Sequence, residues 1–409
     1  MLYKNKIKGQ NILKSAVALM LMLTLSLSTA LSPLAKAEEA KYTWKTLTSA
    51  PVTDPNNFRG NYISPDGSKL FILGTDSSYN ANFWMSADDG ATWRKIWSGR
   101  SMIEKVSINT DGSKIVFLIP DNGRRHFYIS TDGGQNWTER VTSTEFLDTT
   151  ISPDGSFLTG CSINGRVHTT YISTNDGQTW TQKGTNNIQC PTYVTNNGTL
   201  IAQDGGDMAK STDYGQTWTE TPNALGVNNI PSFSNNGNNI FGENRISLDG
   251  GNHWTPSNAP IPADTSYMGS QISDDGKKLS VMTVHHGVFT LLTSTDGGRT
   301  WDTESDSRDS AVFMSSDGSK LFRMLAELVA GNVIIRYRVG TLTTPQPVTP
   351  GSGAGGTVTP STGSTSATPG QKPGKTSGRL AETGTSTWMV GGLAVIAVVA
   401  GALVLRKRL

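Results

Sequence analysis

Between residues 41 and 342 the chain alternates short apolar runs with polar turns. Runs such as SKLFILGT (68–75) and SKIVFLIP (113–120) are rich in Leu, Ile, Val and Phe and stop at small polar clusters. No stretch in this region sustains a helical period. Runs of this length bounded by Asp-Gly turns predict β-strands joined in hairpins.

The turns recur. The phrase S-x-D-x-G-x-x-W begins at Ser86, Ser130, Ser173, Ser211, Ser247 and Ser294, with Asn175 in place of Asp in the third copy. A shorter phrase, S-x-D-G, occupies 64–67, 152–155, 273–276 and 315–318, with looser copies at 109–112, 195–198 and 234–237. The shorter phrase thus occurs seven times, at intervals of 39 to 45 residues. One unit reads as strand, S-x-D-G turn, strand, loop, strand, Asp-containing turn, and a last strand that begins with Trp. Four antiparallel strands in about 42 residues make the blade of a β-propeller.

Seven short turns predict seven blades, but the Trp phrases number six. The missing outer strand is found at the other end of the region, in Lys41-Tyr42-Thr43-Trp44-Lys45, which resembles Thr179-Trp180-Thr181 and Thr217-Trp218-Thr219. It is expected to complete the blade begun by 311–342 and so remove the exposed sheet edges. The predicted fold is therefore all-β: a seven-bladed propeller of four-stranded antiparallel blades over 41–342, closed by the N-terminal strand.

The longer phrase is identified as the Asp-box, or bacterial neuraminidase repeat, and the resemblance covers essentially all of 41–342. Sialidases, sortilin-type receptors, xyloglucanases and a seven-bladed photosystem assembly factor share it. Turn chemistry accounts for each residue of the phrase. Ser and Asp side chains bond the backbone, Gly supplies positive φ, and Trp packs into the blade. Asp88, Asp132, Asn175, Asp213, Asp249 and Asp296 are accordingly expected to be structural, since an acceptor-bonding turn tolerates Asn and a catalytic carboxylate does not.

Both ends are specialised. Lys4, Lys6, Lys8 and Lys14 precede an apolar run over 16–31 and the small-residue site Ala35-Lys36-Ala37. Residues 1–37 read as a secretory signal peptide. At the other end, 388–405 carries no charge and is followed by Arg406-Lys407-Arg408, the pattern of a transmembrane helix with a cytoplasmic basic tail. Leu380-Ala381-Glu382-Thr383-Gly384 lies just before it. Residues 380–409 together resemble a sortase cell-wall sorting signal of the LPXTG type, with Ala381 where the commonest version has Pro. The resemblance implies cleavage between Thr383 and Gly384, and sortase and peptidoglycan as partners. It also implies a helix in the membrane before sorting, and the outer surface of a Gram-positive-type bacterium as the location. A plain C-terminal membrane anchor is the alternative. Residues 343–379, nearly all Pro, Gly, Ser, Thr and Ala, read as a disordered stalk that reaches roughly 100 Å when stretched.

Charge narrows the partners. Thirty-five basic against 33 acidic residues give a formal net charge of +2, so no basic face points to nucleic acid. No cofactor and no metal site is expected. Cys161 and Cys190, in neighbouring blades, are compatible with a disulfide outside the cell or with two buried thiols.

Candidate site residues come from aligning the inner strands on the S-x-D-G turn. The seventh column is apolar throughout (Ile63, Ile108, Ile151, Val194, Phe233, Ile272, Met314) and reads as inter-blade core. Earlier columns carry Arg59, Glu104, Lys105, Asp148, Asn229, Arg308 and Asp309, while Tyr62 and Tyr193 share a column. Loop-face hairpins add Arg124, Arg125, His126, His285 and His286. Arg59, Tyr62, Arg124, Arg125, His126, Tyr193, His285 and His286 are the binding candidates. Adjacent histidines on a strand point to opposite faces, which argues against a metal at 285–286. The sialidase resemblance implies an arginine triad, a Tyr/Glu nucleophile pair and an acid/base Asp. Arg59, Glu104, Asp148 and Arg308 are the candidates for such roles, yet no triad can be assigned, and sialidase rings have six blades. The expectation is a wall-anchored surface protein presenting a propeller to an extracellular glycan or protein, with a sialidase-like surface exo-glycosidase as the alternative. An assembly helper for surface complexes is a third reading.

Overall fold

The computed structural model describes residues 40–343, except 100–101, 122–123, 141–143, 205, 223–230, 243 and 307–308. The expected signal peptide, stalk, sorting signal and transmembrane helix lie outside the described residues. Within them, the strands form seven sheets of four, six of them made of consecutive antiparallel neighbours and the seventh of three such strands with the first strand of the propeller added at its edge. The one helical element described is a 3-10 turn, Pro55–Asn57.

The first strands of blades 1 to 7 are Phe58–Ile63, Lys105–Ile108, Asp148–Ile151, Tyr193–Val194, Ser232–Phe233, Ser266–Ile272 and Asp309–Met314. They lie side by side for blades 2 and 3, 3 and 4, 5 and 6, 6 and 7, and 7 and 1. Outer strands follow each Asp turn, as in Arg94–Gly99 and Thr138–Arg140. Blade 7 is Asp309–Met314, Lys320–Val329, Asn332–Thr343 and then Lys41–Leu47, so the N-terminal strand is the fourth strand of the last sheet. This is the predicted closure.

The core consists of seven clusters, one between each pair of neighbouring blades, and a tryptophan borders each. Trp93 packs between blades 7 and 1, Trp137 between 1 and 2, Trp180 between 2 and 3, and Trp218 between 3 and 4. Trp254 and Trp301 continue the series, and Trp44 fills the seventh place, between blades 6 and 7. The apolar seventh column is buried in every blade, from Val194 and Ile151 at 0% exposure to Met314 at 9%.

A second circuit runs through the S-x-D-G turns. Ser316 N–H donates to Pro65 O (2.6 Å), Asp66 N–H to Thr110 O (3.0 Å), and Thr110 N–H to Pro153 O (2.8 Å). Asp154 N–H donates to Asn196 Oδ1 (2.8 Å), the Tyr193 hydroxyl to Ser234 O, Asn235 N–H to Asp274 Oδ1 (2.6 Å), and Asp274 N–H to Ser316 O (2.7 Å). These seven links join every blade to the next on the turn face.

Candidate functional site

The two faces differ in what their polar groups are doing. On the turn face, each Asp-turn serine donates its hydroxyl to the residue two places on: Ser86 to Asp88 at 2.7 Å, Ser130 to Asp132 at 2.9 Å, Ser211 to Asp213 at 2.8 Å. The same serine oxygen accepts from the glycine N–H, as Gly90 donates to Ser86 at 2.9 Å. The Asp then accepts from the backbone N–H before the Trp, and from that residue's side chain: Thr92 N at 2.9 Å and Thr92 Oγ1 at 2.6 Å on Asp88. Asn136, Thr217, His253 and Thr300 repeat the pattern. These hydrogen bonds, Thr92's side chain foremost for Asp88 and the Asn136 backbone for Asp132, hold both carboxyls down at about 2. Asn175 reverses one polarity: its Nδ2 donates to Thr179 Oγ1 at 2.9 Å while Oδ1 accepts from Ser173 and from Thr179 N–H. The hydroxyl of Thr179 serves as acceptor where Thr92 is a donor. The residue before Trp is thus a working part of the turn. Its hydrogen-bonding character in every copy (Thr, Asn, Thr, Thr, His, Thr) was the available signal.

The loop face gathers charge between blades 2 and 3. Lys105 and Asp148 open the inner strands of those blades, and Lys105 Nζ pairs with Asp148 Oδ2, with side chains 16% and 10% exposed. Above them, Arg125 Nε donates to Glu104 Oε2 at 2.7 Å, and Arg125 Nη1 lies 3.7 Å from Glu145 Oε1. One guanidinium therefore bridges carboxylates from two blades. Burial pushes the Asp148 carboxyl above the usual carboxylate range, with Lys105 drawing it back. Behind Asp148 on the neighbouring strand sits Cys161, its register partner. Cys161 and Cys190 form a disulfide with Cα atoms 5.6 Å apart, so the second of the two sequence alternatives is discarded.

Among the other candidates, Arg59 turns its guanidinium onto main-chain oxygens, donating to Asn56 O at 2.8 Å and Phe58 O at 2.7 Å. His126 Nδ1 lies 2.5 Å from Glu139 Oε1. Arg124 begins the third strand of blade 2, and Arg308 lies outside the described residues. Tyr62 and Tyr193 require correction as loop-face binding residues. Tyr62 is 7% exposed and packs on Phe83 and Phe313, and Tyr193, 1% exposed, spends its hydroxyl on Ser234 O in the turn-face circuit. Their column points into blade interfaces. The histidine geometry also differs from strand alternation. His286 has φ 49° in the hairpin turn, which brings its ring to 4.0 Å from that of His285, stacked rather than opposed. No group of three or more His, Cys, Asp or Glu suited to a metal occurs among the described residues.

A family model described as Sortilin-Vps10 (Sortilin, neurotensin receptor 3) matches residues 81–205. The matched stretch runs from the third strand of blade 1 to the second strand of blade 4, and the chain is similar to that family over it. No curated protein sequence matches the chain. Among solved structures, the chain is similar to YCF48 bound to D1 peptide, at 15% identity and a TM-score of 0.49, covering 73% of this chain and 97% of that one. The Cps50 (Swd1) β-propeller domain of Myceliophteria thermophila is 10% identical with a TM-score of 0.49, covering 75% of this chain and 100% of the other. A structure of two prolyl endopeptidases is 11% identical with a TM-score of 0.48, covering 71% of this chain and 52% of that chain. The propeller itself stands on its own strand order. It is a fold suited to binding, because a rigid ring of sheets holds one face of loops in fixed positions.

Proposed function

We propose that this protein is a cell-wall-anchored surface protein that binds an extracellular glycan or protein through the loop face of its propeller. The observation that carries this reading is the asymmetry of the two faces. The turn-face Asp and Asn side chains are engaged within their own turns or by the turn of the neighbouring blade, whereas Arg125, Glu104, Glu145, Lys105 and Asp148 gather at the opposite ends of the strands. The chain also leaves the ring on the turn face: Leu342 N–H donates to Ser319 O at 2.8 Å, beside the last S-x-D-G turn.

The signal peptide, stalk and sorting signal expected from the sequence supply the location. The glycosidase alternative has less support, since Arg59 is engaged by backbone carbonyls and Arg125 by two carboxylates. Two measurements test the proposal. In a sortase-bearing host, the Thr383→Ala chain should become extractable by detergent while the unaltered chain stays with the wall. On a glycan array, and against fluorogenic sialosides, the purified chain should bind without turnover. Hydrolysis would reverse the ranking in favour of the enzyme.

A further inference from the structure

The ladder registers show that Gly60, Lys105, Asp148, Gly269 and Ala311 occupy the same rung of their blades, opposite Leu73, Leu118, Cys161, Met282 and Met324. Blades 1, 6 and 7 reach this rung through a register shift and place Gly or Ala there. Blades 2 and 3 run straight and place a Lys and an Asp. The ring therefore closes in three other blades without charge at this level. A buried ion pair is also seldom more stabilising than apolar residues of similar volume, so ring stability does not account for the pair.

Asp148 carries a second sign. It is 7% exposed, Lys105 engages Oδ2, and Oδ1 is buried without a hydrogen bond of ordinary geometry, the Thr149 N–H being the one backbone donor that acts on the carboxyl. Buried carboxylate oxygens are nearly always supplied with donors. At the same rung the blade 6 side is open, since a Cβ added to Gly269 meets nothing within 4 Å, whereas one added to Gly60 of blade 1 meets the Tyr62 ring.

We propose that Lys105 and Asp148 form a saccharide site at the loop-face mouth of the central axis, taking neighbouring hydroxyls of a neutral sugar. One hydroxyl donates to Asp148 Oδ1, and the adjacent oxygen accepts from Lys105, whose ammonium has three donors. A cationic ligand is disfavoured by the Lys105 charge, and an anionic one by Asp148 with Glu104 and Glu145 close along the chain. This rests on the loop-face binding reading and names its ligand class.

The test is calorimetric titration of the full chain, purified in mild detergent, with chitotetraose, cellotetraose, maltotetraose and mannotetraose, and with a sialylated oligosaccharide as the acidic arm. At least one neutral probe is expected to bind. The Lys105→Met/Asp148→Leu pair, which keeps the volume, is expected to weaken it at least tenfold with an unchanged melting temperature. Asp148→Asn serves if the double variant does not fold, and should also weaken binding. Failure of all neutral probes, preference for the acidic one, or equal binding by the variants overturns the site. None of those outcomes removes loop-face binding in general, which is read separately from an Arg125→Ala chain on the glycan array.

Discussion

The guanidinium of Arg323, in the second strand of blade 7, lies 4.1 Å from the ring centroid of Trp44, in the strand that begins the propeller. Arg323 is 1% exposed and also holds Glu304 of blade 6 at 2.8 Å, while Trp44 Nε1 donates to the other oxygen of Glu304. Of the corresponding indoles, four use a backbone carbonyl, as Trp137 does on Ile96 O at 2.7 Å and Trp301 on Ser257 O at 2.8 Å, while Trp93 and Trp180 bury Nε1 without a hydrogen bond. The non-covalent blade thus has a charged clamp in place of a main-chain acceptor.

From this clamp, Trp44→Ala is expected to cost about 2–4 kcal/mol, below the range for fully buried Trp because this ring is partly exposed. It should also free the strand Lys41–Leu47 for proteolysis before the ring melts. Glu304→Ala should act in the same direction, since it leaves the Arg323 charge buried without its carboxylate. Calorimetry with limited proteolysis measures both. A Trp44→Ala protein that melts like the parent would refute the clamp.

The Asp turns make a different prediction. Blade 3 already works with Asn175 and Thr179, so Asp88→Asn should be tolerated, and Asp88→Ala should lower the melting temperature more. Removing Thr92 Oγ1 should weaken the same turn, because it supplies the shortest bond to Asp88, 2.6 Å. These carboxyls are held down to about 2 by turn hydrogen bonds, so their stabilisation is present above the ordinary Asp range and lost as pH falls toward 2. An acid titration of the parent against Asp88→Asn resolves this. An identical acid midpoint for both would remove Asp88 from the account.

Ring size, blade composition and the placement of Trp44 were all legible in the sequence, because hairpin turns need particular residues at particular offsets and those offsets recur. The buried column ending in Ile63 and Met314 was legible for the same reason. Side-chain direction at the inner strands was not. A register shift before Gly60, Gly269 and Ala311 changes which residues share a rung, and no residue type in the sequence marks it. Tyr62 and Tyr193 lie clear of any shift and face neighbouring blades, which their shared column did not reveal. The pairing of Lys105 with Asp148, 43 residues apart, emerges only once the blades are set side by side.

The Cys161–Cys190 disulfide ties the second strand of blade 3 to the segment leading into blade 4, across a sequence separation of 29. A closed loop of about that length is worth about 3–4 kcal/mol in the chain-entropy account. Cys161→Ala/Cys190→Ala, or thiol reductant, should therefore lower the melting temperature by several degrees. Since Cys161 stands opposite Asp148, saccharide affinity at that site should fall as well. Parallel melts and titrations with and without reductant read the two effects, and an unchanged melt would deny the bond any structural weight.

Asp274 gives the propeller a second pH dependence, opposite in sign to that of the Asp turns. It sits in the turn-face circuit, where Oδ1 accepts from Asn235 N–H at 2.6 Å. Burial pushes its carboxyl up to about 7, and the charges of Asp275 and Asp317 add to the rise while hydrogen bonds from Asn235 and Asn236 oppose it. The fold therefore prefers the protonated group. The stabilisation is complete below the ordinary Asp value near 4 and is lost as pH rises through 7. Allowing for its partial exposure, the loss amounts to about 1–3 kcal/mol, less than the full shift implies at about 1.4 kcal/mol per unit. Asp274→Asn keeps an acceptor for Asn235 and removes the charge. It should leave stability at pH 4 nearly unchanged, raise it at pH 8, and flatten the decline between. Lys278 pairs with Asp275, not Asp274, so Lys278→Met should leave most of the decline in place. Denaturant melts of the parent and both variants from pH 4 to 8 measure these slopes. A parent whose stability rises steadily with pH across that window, unaltered by Asp274→Asn, would show the carboxylate to be ionised in the folded ring.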